Sequence, residues 1–135
     1  MKIFISSHAH LASGMKSSVE FLAGKNENIF VFDAYMNQRS VTEVVEEFLS
    51  NVKDDDQVIL MADLYNGSVC QALLPYSNRE NVYLIAGINL SLLLELSLKE
   101  NIDRRELVEL IERARESMQL INVNEIENEE EEDFF

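Results

Sequence analysis

Lys2-Ile3-Phe4-Ile5-Ser6-Ser7-His8-Ala9-His10 opens the chain with an apolar run that ends in two serines and the only two histidines of the sequence. The run Ile3-Phe4-Ile5 reads as a buried first strand. A titratable side chain placed where such a strand ends lies on the rim of an α/β sheet, and that architecture binds its ligands outside the carboxyl ends of the strands. Imidazole suits a site that must accept a group and give it back near neutral pH. The rest of the chain decides whether His8 and His10 have such a task.

Working outward, short β-rich runs alternate with helical periodicity. Met15, Val19 and Leu22 fall at helical spacing, and Gly24 stops that helix. Ile29-Phe30-Val31-Phe32 is a continuous apolar strand, as expected of one covered on both faces. Ser40-Val41-Thr42-Glu43 is a capping box opening a helix with an apolar stripe of Val41, Val44, Val45, Phe48 and Leu49. Val58-Ile59-Leu60-Met61 is a third strand, followed by the polar turn Asp63-Leu64-Tyr65-Asn66-Gly67-Ser68. The next helix is short, because Pro75 disrupts a helix interior. Val82-Tyr83-Leu84-Ile85-Ala86 is the fourth strand and ends at Gly87-Ile88-Asn89. Ser91 is expected to cap a short helix through Leu98. Asp103-Arg104-Arg105-Glu106 starts another, with Leu107, Leu110, Ile111, Ala114 and Met118 inward. Leu120 to Ile126, carrying Ile121 and Val123, is expected to form a fifth strand.

Strands joined by helices imply an open, mainly parallel α/β sheet of four strands flanked by helices. Its strand ends gather on one rim, where His8, Asp33, Asp63 and Asn89 follow their strands. The sequence has 135 residues, 47% of them hydrophobic, with one Pro and four Gly, and reads as one globular domain over residues 1–126. Residues 127–135 form an acidic tail, expected to be disordered. Cys70 is the only cysteine, which rules out an intrachain disulfide framework, and it reads as a small buried residue. With no signal-peptide core and no run near the roughly 18 apolar residues of a membrane span, the expected compartment is the cytoplasm. The net charge is −14, and no Lys or Arg follows Arg115. Such a chain repels nucleic acid, which is therefore not an expected partner.

Several chemistries fit a rim histidine. A metal site needs at least three ligands in workable geometry, and two histidines at i and i+2 with scattered aspartates do not supply that pattern; no metal and no cofactor is expected. A hydrolase needs an activated nucleophile. Ser7, Ser68 and Cys70 are available, but none lies in a nucleophile-elbow sequence. There is no glycine-rich nucleotide loop. A nucleophilic histidine needs less: a carboxylate on one ring nitrogen fixes the tautomer and leaves the other nitrogen free to attack. Asp63 is placed for that role, and the turn Asn66-Gly67-Ser68 could hold a phosphoryl group through backbone N–H groups and the Ser68 hydroxyl.

Three segments carry a resemblance. Ser7-His8-Ala9-His10-Leu11-Ala12-Ser13-Gly14 resembles the Ser-His-Gly-x-x-Ala-x-Gly opening of the mannose/fructose/sorbose-family IIA components of the bacterial sugar phosphotransferase system. Asp63 to Ser68 resembles that family's Asp-x-x-Gly-Gly-Ser turn, and Ala86-Gly87-Ile88-Asn89 its Ala-Gly-Val-Asn segment. The matches keep the family's order and spacing over residues 1–126. Ala9 and Asn66 stand where the family has Gly, and Val69 stands in place of a common Pro.

The resemblance implies a phosphotransferase component that takes a phosphoryl group from the phosphocarrier HPr and passes it to a IIB component for sugar uptake. Membrane IIC and IID components are then indirect partners. Carried over residue by residue, His8 rather than His10 is phosphorylated and Asp63 orients it, with Asn66, Gly67 and Ser68 around the phosphate. His10, Asp33 and Asn89 are left as rim or partner contacts. The resemblance further implies a homodimer that exchanges its C-terminal strand. Two alternatives stand beside this one: a phosphorylation-sensing regulatory protein of the same fold, and a module that binds a small molecule without covalent chemistry.

Overall fold

The computed structural model describes residues 1–126, so the acidic tail lies outside the described residues. Apolar runs flanked by helices form four parallel strands: β1 (Lys2–His8), β2 (Ile29–Ala34), β3 (Val58–Ala62) and β4 (Val82–Ala86). Their order in the sheet is β2-β1-β3-β4. Ile5 pairs with Val31 on one side and Met61 on the other, which sets the register at the heart of the sheet. The chain leaves β1 toward β2 and later returns to β3 on the other flank, so the direction of winding reverses between β1 and β3. In open α/β sheets that crevice is where ligands sit.

The helices are α1 (Leu11–Ala23), α2 (Val41–Ser50), α3 (Ser68–Leu73), α4 (Leu90–Ser97), α5 (Arg104–Glu116) and α6 (Val123–Ile126). Strand residues alternate between two packed layers because successive side chains point to opposite faces. Ile3, Ile5, Ile59 and Met61 meet Met15 and Val19 of α1, Leu93 and Leu96 of α4, and Leu107 and Leu110 of α5. Phe4, Leu60 and Val58 meet Val45 and Phe48 of α2 and Val69, Cys70 and Leu73 of α3. Cys70 is a free, buried thiol, filling space in that second layer. No helix of the described residues is long and apolar enough to cross a membrane.

Two caps form as the sequence indicates. Ser40 Oγ accepts from the Glu43 N–H at 3.1 Å, and Asp103 Oδ1 from the Glu106 N–H at 2.8 Å. Gly24 ends α1 with φ +89°, a conformation that suits a residue without Cβ. Pro75 lies in a 3₁₀ segment, Leu74–Asn78, that continues from the short α3.

Four expectations need correction. Asn89, not Ser91, caps α4: its Oδ1 accepts from the Leu92 N–H at 2.9 Å. Both residue types favour the position, and the earlier one wins because the helix begins at Leu90. β2 is an edge strand, and Phe30 on it is exposed rather than covered on both faces. Met118 lies beyond the end of α5 and is exposed. The segment 120–126 is not a strand: Val123–Ile126 is one turn of helix, and Leu120, Ile121 and Val123 are exposed. β-branched composition is only a context-dependent preference for strand, and this segment docks on neither edge of the sheet.

Candidate functional site

The end of β1 is held open by its own serines. Ser7 is fully buried; its Oγ donates to the Ala9 carbonyl at 2.9 Å and accepts from the Ala12 N–H at 2.7 Å. That side chain ties strand to helix and so turns the intervening His8-Ala9-His10 outward. Ser7 is therefore a structural residue and not a nucleophile. Ala9 adopts φ +53° in this turn, the left-handed conformation that glycine would take without strain. Asn66 does the same at φ +60° in the turn after β3. At both positions the backbone keeps a path that favours glycine although the side chain does not.

His8 ends β1, and Asp63 follows the adjacent strand β3. Asp63 Oδ2 lies 2.8 Å from the His8 backbone nitrogen and 2.8 Å from His8 Nδ1. Its Oδ1 accepts from the Leu64 N–H at 3.0 Å. Burial pushes the Asp63 carboxyl up, but the hydrogen bonds from the His8 N–H, the His8 ring and the Leu64 N–H outweigh it and hold the group below the usual carboxylate range. Asp63 is thus ionised and can only accept, so the proton between them belongs to Nδ1. Nε2 keeps its lone pair. The Asp63 side chain is 8% exposed and that of His8 41%, so the carboxylate is sheltered while the imidazole is partly open to solvent.

Ser68, the first residue of α3, places Oγ 3.2 Å from Nε2. Tyr35, directly after β2, places its hydroxyl 2.5 Å from the same Oγ. With the ring neutral and its proton on Nδ1, Nε2 accepts from Ser68, and the Tyr35 hydroxyl then donates to Ser68 Oγ. Gly67 lets the turn pass close to Leu64: a Cβ there would stand 3.1 Å from Leu64 Cβ and 3.3 Å from its carbonyl oxygen, and 3.7 Å, an ordinary contact, from His8 Cε1. Its N–H donates to the Leu64 carbonyl at 3.1 Å, closing the turn. Tyr35 is the residue that sequence reasoning missed. The available signal was its position two residues past Asp33, on the strand-end rim.

His10 and Asp33 form a second pair on the other side of β1, with Nδ1 3.1 Å from Asp33 Oδ2. Asp33 also accepts from Ser13 Oγ at 2.6 Å and from the Ser13 N–H at 3.0 Å, and so anchors the first turn of α1. Burial raises its carboxyl, and the Ser13 and His10 contacts more than reverse this, leaving it low. Asn89 reaches the same rim, but its amide is spent on structure: Nδ2 donates to the Ala114 carbonyl at 2.7 Å, joining α4 to α5. The structure therefore brings Asp63, Ser68 and Gly67 to the His8 imidazole, carries Asn66 in the turn that leads to them, and spends Asn89 on a contact with α5. Among the described residues no group of three or more His, Cys, Asp or Glu could hold a metal ion.

The α/β domain thus carries a carboxylate-oriented, partly exposed histidine at its strand-reversal point. The family model for the PTS system fructose IIA component matches residues 2–115, and the chain belongs to that family. No curated protein matches it. Among solved structures it is similar to a Klebsiella pneumoniae protein provisionally assigned as a phosphoenolpyruvate-dependent sugar phosphotransferase system permease. That similarity has 28% identity, a TM-score of 0.81, and covers 91% of this chain and 92% of that one. It is also similar to the PTS IIA protein associated with the fucose utilization operon of Streptococcus pneumoniae (26% identity, TM-score 0.71, covering 92% and 93%). The mannose/sorbose-specific IIA subunit of Enterococcus faecalis shares the fold at 18% identity and a TM-score of 0.77, covering 90% and 95%.

Proposed function

We propose that this protein is a cytoplasmic phosphohistidine carrier that accepts a phosphoryl group from HPr on His8 Nε2 and passes it to a IIB component, with IIC and IID served indirectly. The observation that carries this reading is the division of labour on one ring, with Nδ1–H held by a sheltered carboxylate and Nε2 turned to solvent beside a hydroxyl donor. In the accepting step the Nε2 lone pair attacks phosphorus. The bond from phosphorus to the donor's imidazole nitrogen breaks, and its electron pair stays with the donor. The Nδ1 proton does not move. The ring becomes cationic as the N–P bond forms, and Asp63 stabilises that charge. The reverse sequence of bonds delivers the group to the acceptor.

An open rim suits this work better than small-molecule binding. Two grooves, of about 700 and 560 Å³, are lined by neither His8 nor Asp63, whereas a bound metabolite is normally enclosed. Leu11, Met36, Leu64 and Tyr65 are exposed on the segments flanking His8, which offers apolar surface to macromolecular partners. The test is incubation with phosphoenolpyruvate, enzyme I and HPr. Wild type and His10→Ala should acquire an acid-labile phosphoryl group and His8→Ala should not. Full labelling of His8→Ala would end this reading, and labelling without delivery to any IIB would select the regulatory alternative.

A further inference from the structure

Tyr35 holds an uncommon backbone conformation for a bulky aromatic residue, φ +68°, while its side chain remains 60% exposed. Left-handed backbone is disfavoured for a residue with a Cβ, and little burial is gained in return. What the conformation achieves is placement. The Tyr35 ring centroid lies 5.3 Å from that of His8 with the planes tilted by 40°, and its hydroxyl meets Ser68 Oγ at 2.5 Å. Three strand-end segments thus converge in one directional chain of donors: Tyr35 O–H to Ser68 Oγ, Ser68 O–H to His8 Nε2, His8 Nδ1–H to Asp63.

We infer that Tyr35 is a positioning residue for phosphoryl transfer, acting through Ser68. The inference rests on the carrier reading of His8. Before transfer, the tyrosine hydroxyl fixes Ser68 Oγ so that its proton points at Nε2. Once phosphorus is bonded to Nε2 that lone pair is gone, and Ser68 must turn its proton to a phosphoryl oxygen. Tyr35 keeps Oγ in place while the proton changes acceptor. A hydroxyl that is itself receiving a hydrogen bond is also a stronger donor. No bond to Tyr35 forms or breaks, and its phenolic proton stays on it throughout. Its ring covers one side of the imidazole, where water would otherwise approach the N–P bond.

The test is a double-mutant cycle on the full chain, using Tyr35→Phe, Ser68→Ala and the pair, with wild type and His8→Ala as references. Tyr35→Phe keeps the ring and removes only the hydroxyl. It should slow transfer from phosphorylated HPr by about tenfold, the scale of one lost hydrogen bond. In the Ser68→Ala background it should add almost nothing, because the group it acts through is gone. Equal rates for Tyr35→Phe and wild type would overturn the inference, and so would fully multiplicative effects in the pair. Wild type that accepts no phosphoryl group would instead overturn the carrier reading itself.

Discussion

A single carboxylate oxygen, Asp63 Oδ2, receives both the backbone N–H and the Nδ1–H of His8, each at 2.8 Å. The first bond ties down the backbone at the end of the strand and the second fixes how the ring is turned, so the placement and the tautomer of the His8 imidazole depend on one atom.

Replacing Asp63 by Asn should therefore damage transfer far more than folding. The amide has nearly the same volume but no charge, and its NH₂ can face Nδ1 and select the wrong tautomer. By comparison with other histidine–carboxylate pairs, the rate should fall on the order of a hundredfold or more. Stopped-flow transfer from phosphorylated HPr measures it, with circular dichroism to confirm the fold. An unchanged rate would reduce Asp63 to a turn residue.

Acid stability should report the same two carboxylates. Asp63 and Asp33 both lie below the 3.8 of an unperturbed aspartate. A carboxyl with a depressed native value contributes stability that is complete above about 3.8 and is lost as pH falls through the native value. Denaturant midpoints followed from pH 5 downward should drop for wild type, and the drop should be shallower for Asp33→Asn. Parallel curves would show that Asp33 contributes nothing to the acid transition.

Ala9→Gly should stabilise the domain. The relief of left-handed strain, about 1–2 kcal/mol, exceeds the roughly 0.5–1 kcal/mol that glycine loses through its freer unfolded chain. The net gain should be about 0.5–1 kcal/mol, seen as a rise of a few degrees in Tm by calorimetry. Asn66→Gly should gain less, since asparagine tolerates this conformation better. A lower Tm for Ala9→Gly would mean that the turn is not strained.

Assembly gives the fourth prediction. Leu120 is 94% exposed, Ile121 and Val123 are 70% exposed, and β4 is an edge strand. An unpaired edge and an uncovered apolar segment are liabilities that pairing with a second copy removes. A chain ending at Glu127 should be a homodimer by light scattering, and one ending at Gln119 a monomer or an aggregate. A soluble, active monomer from the shorter chain would refute dimerisation through this segment.

Much of the fold was legible because parallel strands covered by helices are written as unbroken apolar runs, and β3 and β4 could be read almost to the residue. Caps at Ser40 and Asp103 were legible because their chemistry is local. Edges were not: that β2 lies at the margin, with Phe30 exposed, depends on strand order, which no local pattern encodes. For the same reason the adjacency of His8 and Asp63 rested on the resemblance and on strand ends sharing a rim. Tyr35 went unread because its contribution comes from a backbone angle and not from a motif. The segment after Leu120 reads differently because composition reports a preference for strand and not whether the segment docks on a sheet edge.

The His8–Asp63 contact spans 55 positions of the chain, and the Ser68 contact spans 60. Contacts between parallel strands so distant form late, after the loops between them have closed. A nascent or partly unfolded copy consequently has a histidine but no oriented histidine.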